Sequence, residues 1–541
     1  MNTTKRIFLL AISAGMALLT YAQNGTYTWA NLPRVQVPVF KNDTINITRF
    51  GAKPDGITLN TEAINKAIEA CSQAGGGVVY IPQGIWLTGP IVLQSNVNLH
   101  VSRAALLQFT GDKSQYKLIE TNFEGRKAVR NQPPISGTNL ENVAITGEGI
   151  IDGNGDVWRS VKKDKLTESE WKELVASGGV LSTDGRSWYP SEAYQKAEQS
   201  RETVTRTTLE DYAPIKDYLR PNLLVLTNCK KVLLQGATFQ NSPAWCLHPI
   251  YCENLTVDGI KVRNPSYAQN GDGLDIESCS YVEVKNSMLD CGDDGICIKS
   301  GKDEEGRKVG KASQYIVIRN NIVYHGHGGF VIGSEMSGGA HDIFVTDCTF
   351  MGTDIGLRFK TTRGRGGIVE NIYIKNINMQ NIGGDAISFD MYYFAKAPGL
   401  GVKVEIPAVD SGTPQFRKFY IDNIICSGAD RAMLIRGLPE MSIKDIQLSD
   451  VVITSRRGVD LIEACNVGFS NVVLQCAVSS PLINIENSHH LSFAKVRSLT
   501  PPVQFYGVNG ERSRDIFVDS AALNSVRFGY GAERGSVTVG R

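Results

Sequence analysis

From Val143 onward the chain repeats one small signature: an aliphatic residue, any residue, then a second aliphatic, often with Asn or another polar residue just before. The pair begins at Val143, Val232, Leu255, Val282, Ile316, Ile343, Ile372, Ile446, Val467, Leu491 and Ile516. Between Val232 and Ile372 the interval is roughly 23 to 34 residues, inside the range of repeat architectures. Alternation with period two predicts short strands that bury one face. A unit this small cannot cover its apolar face alone, so the units must stack and share a continuous core. Asn and Gly between the units supply the left-handed and tight-turn conformations that corners need. A propeller would need a longer repeat with four strands per blade. The pattern therefore predicts an all-β chain, a right-handed parallel β-helix.

The front of the chain reads differently. Residues 23–50 form a Pro-containing extended segment expected along the domain surface. Asn60 then offers a helix N-cap, and Ala63, Ile64, Ala67, Ile68 and Cys71 recur at helical spacing as far as Gly75. One helix ahead of many strands suits a cap that covers the open end of the solenoid. Residues 51–541 are thus expected to form one β-helix catalytic domain. An insertion at about 158–218 interrupts the repeat, with helical patches at Glu168 to Ala176 and Ser191 to Gln199, and a second excursion runs from Phe394 to Gln415.

Composition narrows the function. Of 541 residues, 42% are hydrophobic and 21% charged, and the net charge is +1. That balance points away from nucleic acid or an anionic membrane as partner, so attraction for a charged substrate has to be local. Residues 1–22 have the form of a secretory signal, with Lys5 and Arg6 before the apolar run Ile7 to Leu19 and the small residue Ala22 at the end. The expectation is an exported protein, periplasmic or secreted, with no membrane span after cleavage. The 11 cysteines are odd in number and never spaced as CxxC, which reads as apolar filler rather than a disulfide framework or a metal site. Cys246–Cys252 and Cys291–Cys297 are near enough in sequence to leave one or two bridges open.

The chemistry concentrates between Asn270 and Lys360, in NGDGLD (Asn270 to Asp275), GDDGICIK (Gly292 to Lys299), HGHGGFVIGS (His325 to Ser334) and LRFK (Leu357 to Lys360). Asp272 precedes Asp293 by about one repeat. Stacked coils sit roughly 4.8 Å apart, so Asp272, Asp293 and Asp294 should share one face, and Asp275 has the parity to join them. Clustered carboxylates raise one another's pKa, and an acid beside a base is what glycosidic hydrolysis requires. Taken singly, the fragments have duller readings: Asp-Gly as a corner, His327 as a structural imidazole, Arg358 and Lys360 as a solvated face. Their order on consecutive coils is what favours a site.

These four runs resemble the signature of glycoside hydrolase family 28, the polygalacturonase family, usually written NTDGxD, GDDxxxxK, GHGxSxGS and RxK. The resemblance covers the chain from about Ile47 onward. It departs at Gly271, where Thr is usual, and at Phe330 and Val331, where the fungal enzymes favour Ser. It implies inverting hydrolysis of α-linked galacturonic acid, with Asp293 as acid, Asp272 and Asp294 holding and deprotonating water, and His327 tuning the acid. Asn270, Lys299, Arg358, Lys360 and Tyr392 would bind an acidic polysaccharide or oligosaccharide, with Tyr393 as the alternative aromatic and Lys302, Arg363 and Arg365 extending the basic patch. No metal or cofactor is called for. The runs IGSEMSGG (Ile332 to Gly339), KDEEGRK (Lys302 to Lys308) and SFDMYY (Ser388 to Tyr393) resemble the exo-acting bacterial branch, in which the 158–218 insertion would wall a closed pocket. Rhamnogalacturonan hydrolysis, a polysaccharide lyase and a non-catalytic carbohydrate-binding β-helix are the alternatives.

Overall fold

The aliphatic pairs stack as the repeat requires. Val143, Val232, Leu255, Val282, Ile316, Ile343, Ile372, Phe419, Ile446, Val467, Leu491 and Ile516 are successive register partners in one column of parallel strands. Phe419 is the one member that the aliphatic pattern passes over, because an aromatic ring fills that layer. The residue before each pair takes the corner: Asn254, Tyr281, Asn371, Asp445 and Asn466 all have positive φ. At a second corner Asn side chains bond from coil to coil, Asn320 Nδ2 to Asn286 Oδ1 at 2.7 Å and Asn423 Nδ2 to Asn376 Oδ1 at 2.9 Å.

The computed structural model describes residues 27–201, 205–399, 401–402, 405–519 and 526–539. The signal-like residues 1–22 and the start of the 23–50 segment lie outside them. Among the described residues the principal sheet has 35 strands, joined in parallel as a right-handed β-helix. One hydrophobic core runs along its axis, from Ile47 to Val518.

Helix α1 (Thr61–Gln73) lies across the N-terminal end and buries Ile64, Ala67, Ile68 and Cys71. Each isoleucine buried there contributes about 1.5–3 kcal/mol. Asn60 precedes the helix without capping it: its side chain accepts from Lys53 N at 2.7 Å and donates to Thr58 O at 2.8 Å, pinning the preceding loop instead. The N-terminal segment follows the outside of the coils, with Tyr27 against Tyr315 at 5.2 Å and Trp29 against Phe344 at 5.3 Å.

All 11 cysteines are free. Cys291 belongs to the core cluster, whereas Cys297 lies outside it and donates to Gly333 O at 3.4 Å. Cys252 likewise donates to Leu226 O at 3.3 Å. The two pairings left open by sequence proximity are not made.

Two excursions rise from the same corner of the solenoid. The 153–223 loop carries α2 (Glu168–Ala176) and α3 (Glu192–Ser200), at the places the sequence pattern indicates. A coil earlier, an antiparallel hairpin (Leu118–Phe123 with Arg126–Asn131) projects from the corresponding loop. Neither the aliphatic repeat nor a helical period marks that hairpin in the sequence.

Candidate active site

Four consecutive coils build the site. Their strands are β1 (Leu274–Glu277), β2 (Asp294–Lys299), β3 (Gly328–Ile332) and β4 (Leu357–Lys360), followed by β5 (Ile368–Asp390), whose C-terminal end pairs with β4. Leu274, Ile276, Ile296, Ile298, Phe330 and Ile332 point into the core, so the alternate positions face outward. The loops entering these strands carry Asp272, Asp293, His327 and Asp354, stacked coil on coil.

The stacking brings carboxylates together. One oxygen from each of Asp272, Asp293 and Asp294 lies within 4.8 Å of the others. Asp272 and Asp294 are buried at 3% and 1% exposure, whereas the Asp293 side chain keeps 20%. His327 bonds Asp293 through Nδ1 at 3.1 Å and faces Asp354 through Nε2 at 3.7 Å. Arg358 donates to Asp294 at 3.2 Å and to His327 O at 3.1 Å, and Lys360 donates to Asp294 at 2.7 Å.

These neighbours separate the acids. Burial pushes Asp272 well above the carboxylate range, with Asp275 and Asp293 adding to it. Asp275 is lifted to about 8, chiefly by burial and only partly relieved by Lys299. Burial would raise Asp294 too, but Lys360, Arg358 and Lys299 outweigh it and hold that carboxyl far below the usual range. The hydrogen bond with Asp293 raises His327 against the effect of burial. Two carboxyls raised by burial, one carboxylate held low by cations and one imidazole shifted upward thus share a small space, the kind of division that acid–base chemistry needs. Of the three carboxylates, Asp294 is paired with Arg358 and Lys360, and Asp293 with His327.

Each predicted site residue has a definite place. Asp272, Asp293, Asp294, His327, Arg358 and Lys360 converge. Asp275 joins them from below, with neither carboxylate oxygen hydrogen-bonded. Lys299 is 4% exposed and held by Glu335 at 3.2 Å and Asp275 at 3.5 Å, under the Trp245 ring at 4.6 Å. It supports the carboxylates from beneath instead of presenting a free cation. Asn270 accepts from Arg220 at 2.9 Å and fixes the loop that carries Asp272.

Tyr392 is directed elsewhere, packed near Arg363 at 5.4 Å and Arg436 at 5.8 Å. Its neighbour Tyr393 covers the basic pair, 4.9 Å from Lys360 and 5.7 Å from Arg358. The chain enters a turn here, with Ala395 N donating to Tyr392 O at 2.8 Å, and the two rings leave it toward different partners. Of the remaining cations, Arg363 pairs with Glu440 at 2.5 Å and Arg365 bonds Ser334 O at 3.1 Å and Asp303. Lys302 faces Glu124 at 4.0 Å.

The N-terminal end of this face is barred. The hairpin crosses from the loops that carry the aspartates to α4 (Asp303–Val309) on the far side. There Lys302 N donates to Gly125 O at 2.9 Å, Lys127 N to Glu305 at 3.0 Å, and Arg126 pairs with Asp303. Beneath it Phe123 stacks on Trp245 at 5.7 Å, and Trp245 covers Lys299. The face runs on in the C-terminal direction past Tyr393.

Two family descriptions match the chain: Glycosyl hydrolases family 28 over residues 162–470, and Rhamnogalacturonase A/epimerase, pectate lyase-like, over residues 44–166. A probable polygalacturonase from Vitis vinifera is 28% identical over 418 residues, 75% of this chain and 74% of that one. An exo-poly-alpha-D-galacturonosidase from Dickeya chrysanthemi is 27% identical over 476 residues, 85% and 72% of the two chains. The crystal structure of a hyperthermoactive exopolygalacturonase from Thermotoga maritima is similar with a TM-score of 0.68 and 32% identity, covering 82% of this chain and 94% of that one.

Proposed function

The chain belongs to glycosyl hydrolase family 28, and on that premise we propose that it is a pectin-degrading exo-hydrolase that removes α-linked galacturonic acid from the non-reducing end of its substrate. The observation that carries this reading is the convergence of Asp272, Asp293 and Asp294 within 4.8 Å, beside His327 and the Arg358–Lys360 pair. Relatives described as exo-acting support the mode of attack. So does the 118–131 hairpin, which lies across the N-terminal side of the site and is tied to α4.

Asp293 is the most exposed of the three acids and the one that His327 bonds, so it protonates the departing glycosidic oxygen. Asp294, kept ionised, takes the proton of the attacking water, and Asp272 holds that water. Arg358 and Lys360 grip the carboxylate of the sugar, Arg with two parallel hydrogen bonds. The same two cations suppress the basicity of Asp294 before substrate arrives. A bound uronate draws them away, and Asp294 becomes a better base when there is something to hydrolyse. Tyr393 closes over this clamp.

Inversion is part of the proposal. The carboxylates stand closer than the roughly 6.5–9.5 Å usual for inverting glycosidases. Asp272 and Asp294, however, are almost fully buried, at 3% and 1% exposure, so neither is placed as a free nucleophile for a covalent intermediate. A lyase would need an unprotonated Arg or Lys as base, and Arg358 and Lys360 are both held charged against Asp294. Export rests on the signal-like residues 1–22. Among the described residues no helix is long and apolar enough to cross a membrane. The test is Asp293→Asn assayed on polygalacturonate: turnover should fall by about 10²–10⁴ while substrate binding persists. Undiminished turnover would remove the acid and the reading with it.

A further inference from the structure

The outward face that carries Arg358 and Lys360 continues for several coils. Lys360 registers with Asp390, then Arg436, Ile462 and Glu486. Over the last three coils lies a cavity of about 290 Å³, enough for a single pyranose. One wall is apolar, made by Leu434, Ile462, Pro439 and the overlying Pro398 and Val402. The other presents Arg431, Arg436, Asp460, Glu463 and Glu486.

The charges here are not those of a uronate site. Arg431 is taken by Asp385 at 2.8 Å and Asp460 at 2.8 Å, and Arg436 by Asp390 at 2.6 and 3.0 Å. Among the described residues lining it, both guanidinium groups are thus committed to carboxylates of the chain. Glu486 is 6% exposed, and while Oε1 accepts from Gly401 N at 3.2 Å and from the Tyr530 hydroxyl, Oε2 has no hydrogen-bond partner among the described residues. Glu486 lines the cavity with a second carboxylate, Glu463, and a buried carboxylate oxygen without a partner calls for a donor. Hydroxyl groups satisfy such acceptors; another carboxylate would be repelled.

We infer that this cavity is a distal subsite for a neutral sugar residue on the leaving side of the cleaved bond. The inference rests on the exo-hydrolase reading above, since the hairpin bar leaves only the C-terminal direction for the rest of the substrate. The cavity spans the fourth to sixth coils beyond that of Asp294, roughly 19–29 Å away at ~4.8 Å per coil, within reach of an oligosaccharide. Hydroxyls donate to Glu486 and Asp460, and the C–H face of the ring lies on Leu434, Ile462 and Val402. The preferred substrate is then a galacturonate-terminated chain interrupted by a neutral sugar a few residues in, not an unbroken galacturonan.

The experiment is a positional scan. Oligosaccharides with a non-reducing terminal galacturonate and one neutral sugar moved stepwise toward the reducing end are compared with all-galacturonate chains of equal length, and with digalacturonate, which is too short to reach. One position should raise kcat/KM by about ten-fold. Glu486→Gln, and Val402→Trp built on an exposed position of the roof, should each remove that gain and leave digalacturonate turnover as it was. A flat profile across positions overturns the inference, as do variants that slow digalacturonate equally. If digalacturonate is not hydrolysed at all, the parent reading fails. The subsite is then judged by titrating Asp293→Asn with the same series, where position-dependent tightening keeps it and equal affinity removes it.

Discussion

Replacing Lys299 by Met tests whether a buried cation underpins the catalytic carboxylates. The two side chains are of similar length, so packing under Trp245 is kept and the charge is lost. Lys299 is 4% exposed and serves Glu335 at 3.2 Å and Asp275 at 3.5 Å. Breaking a buried pair by removing one partner costs about 3–5 kcal/mol. Asp275, already lifted to about 8, escapes by keeping its proton, so the penalty falls mainly on Glu335, which Lys299 helps hold down to about 2 against burial. The low end, about 3 kcal/mol, is therefore expected. At ~2.1 cal/mol/K per residue over 541 residues the unfolding entropy is about 1.1 kcal/mol/K, so the melting midpoint should drop by about 3 °C at pH 7. Activity should suffer more than stability, because Lys299 also lowers Asp272 and Asp294; a fall in kcat of about 10² or more is expected. Calorimetry and turnover on a galacturonate oligosaccharide read both. An unshifted midpoint with near-normal kcat would refute the supporting role.

Glu463 is raised to about 7 by burial, only partly offset by Arg512. A folded pKa above the unfolded one means that its contribution is complete below the model value of 4.5 and is lost as pH rises through about 7. Glu463→Gln should therefore flatten the decline in melting temperature between pH 5 and 8, and an unchanged slope would contradict the assignment. Tyr393→Ala should raise KM for galacturonate oligosaccharides by about ten-fold, the scale of a desolvated cation–π contact. Tyr392→Ala should leave KM for digalacturonate near normal, and the reverse pattern would show that the wrong tyrosine was chosen. Replacing residues 118–131 by a short turn should open the barred end, so that polygalacturonate loses viscosity before free galacturonic acid accumulates. A variant that still released only monomer would shift the exo determinant to the 153–223 loop.

Much of this was legible in the sequence because the β-helix converts spacing into proximity. The aliphatic pairs name one column, and Asp272 and Asp293 become neighbours because they lie about one coil apart. The misses share a cause: they depend on where a side chain goes after the backbone is placed. Asn60 looks like a cap and spends its amide on the loop before the helix. Lys299 looks like a free cation and is enclosed by Glu335, Asp275 and Trp245, residues drawn from three other coils. Tyr392 and Tyr393 cannot be told apart without knowing how the chain leaves β5. The hairpin was missed because Leu118 to Asn131 has neither the repeat nor a helical period. Its role lies in contacts with α4 nearly two hundred residues away, through Arg126 and Asp303.

The central claim is that these aspartates, His327 and the Arg358–Lys360 clamp work on one terminal sugar with inversion. Proton NMR of the first product released from polygalacturonate, read before mutarotation, tests it most directly. The account predicts free galacturonic acid from the earliest time point, appearing first as the β anomer. Galacturonic acid appearing first as the α anomer, or long oligosaccharides preceding any monomer, would contradict it.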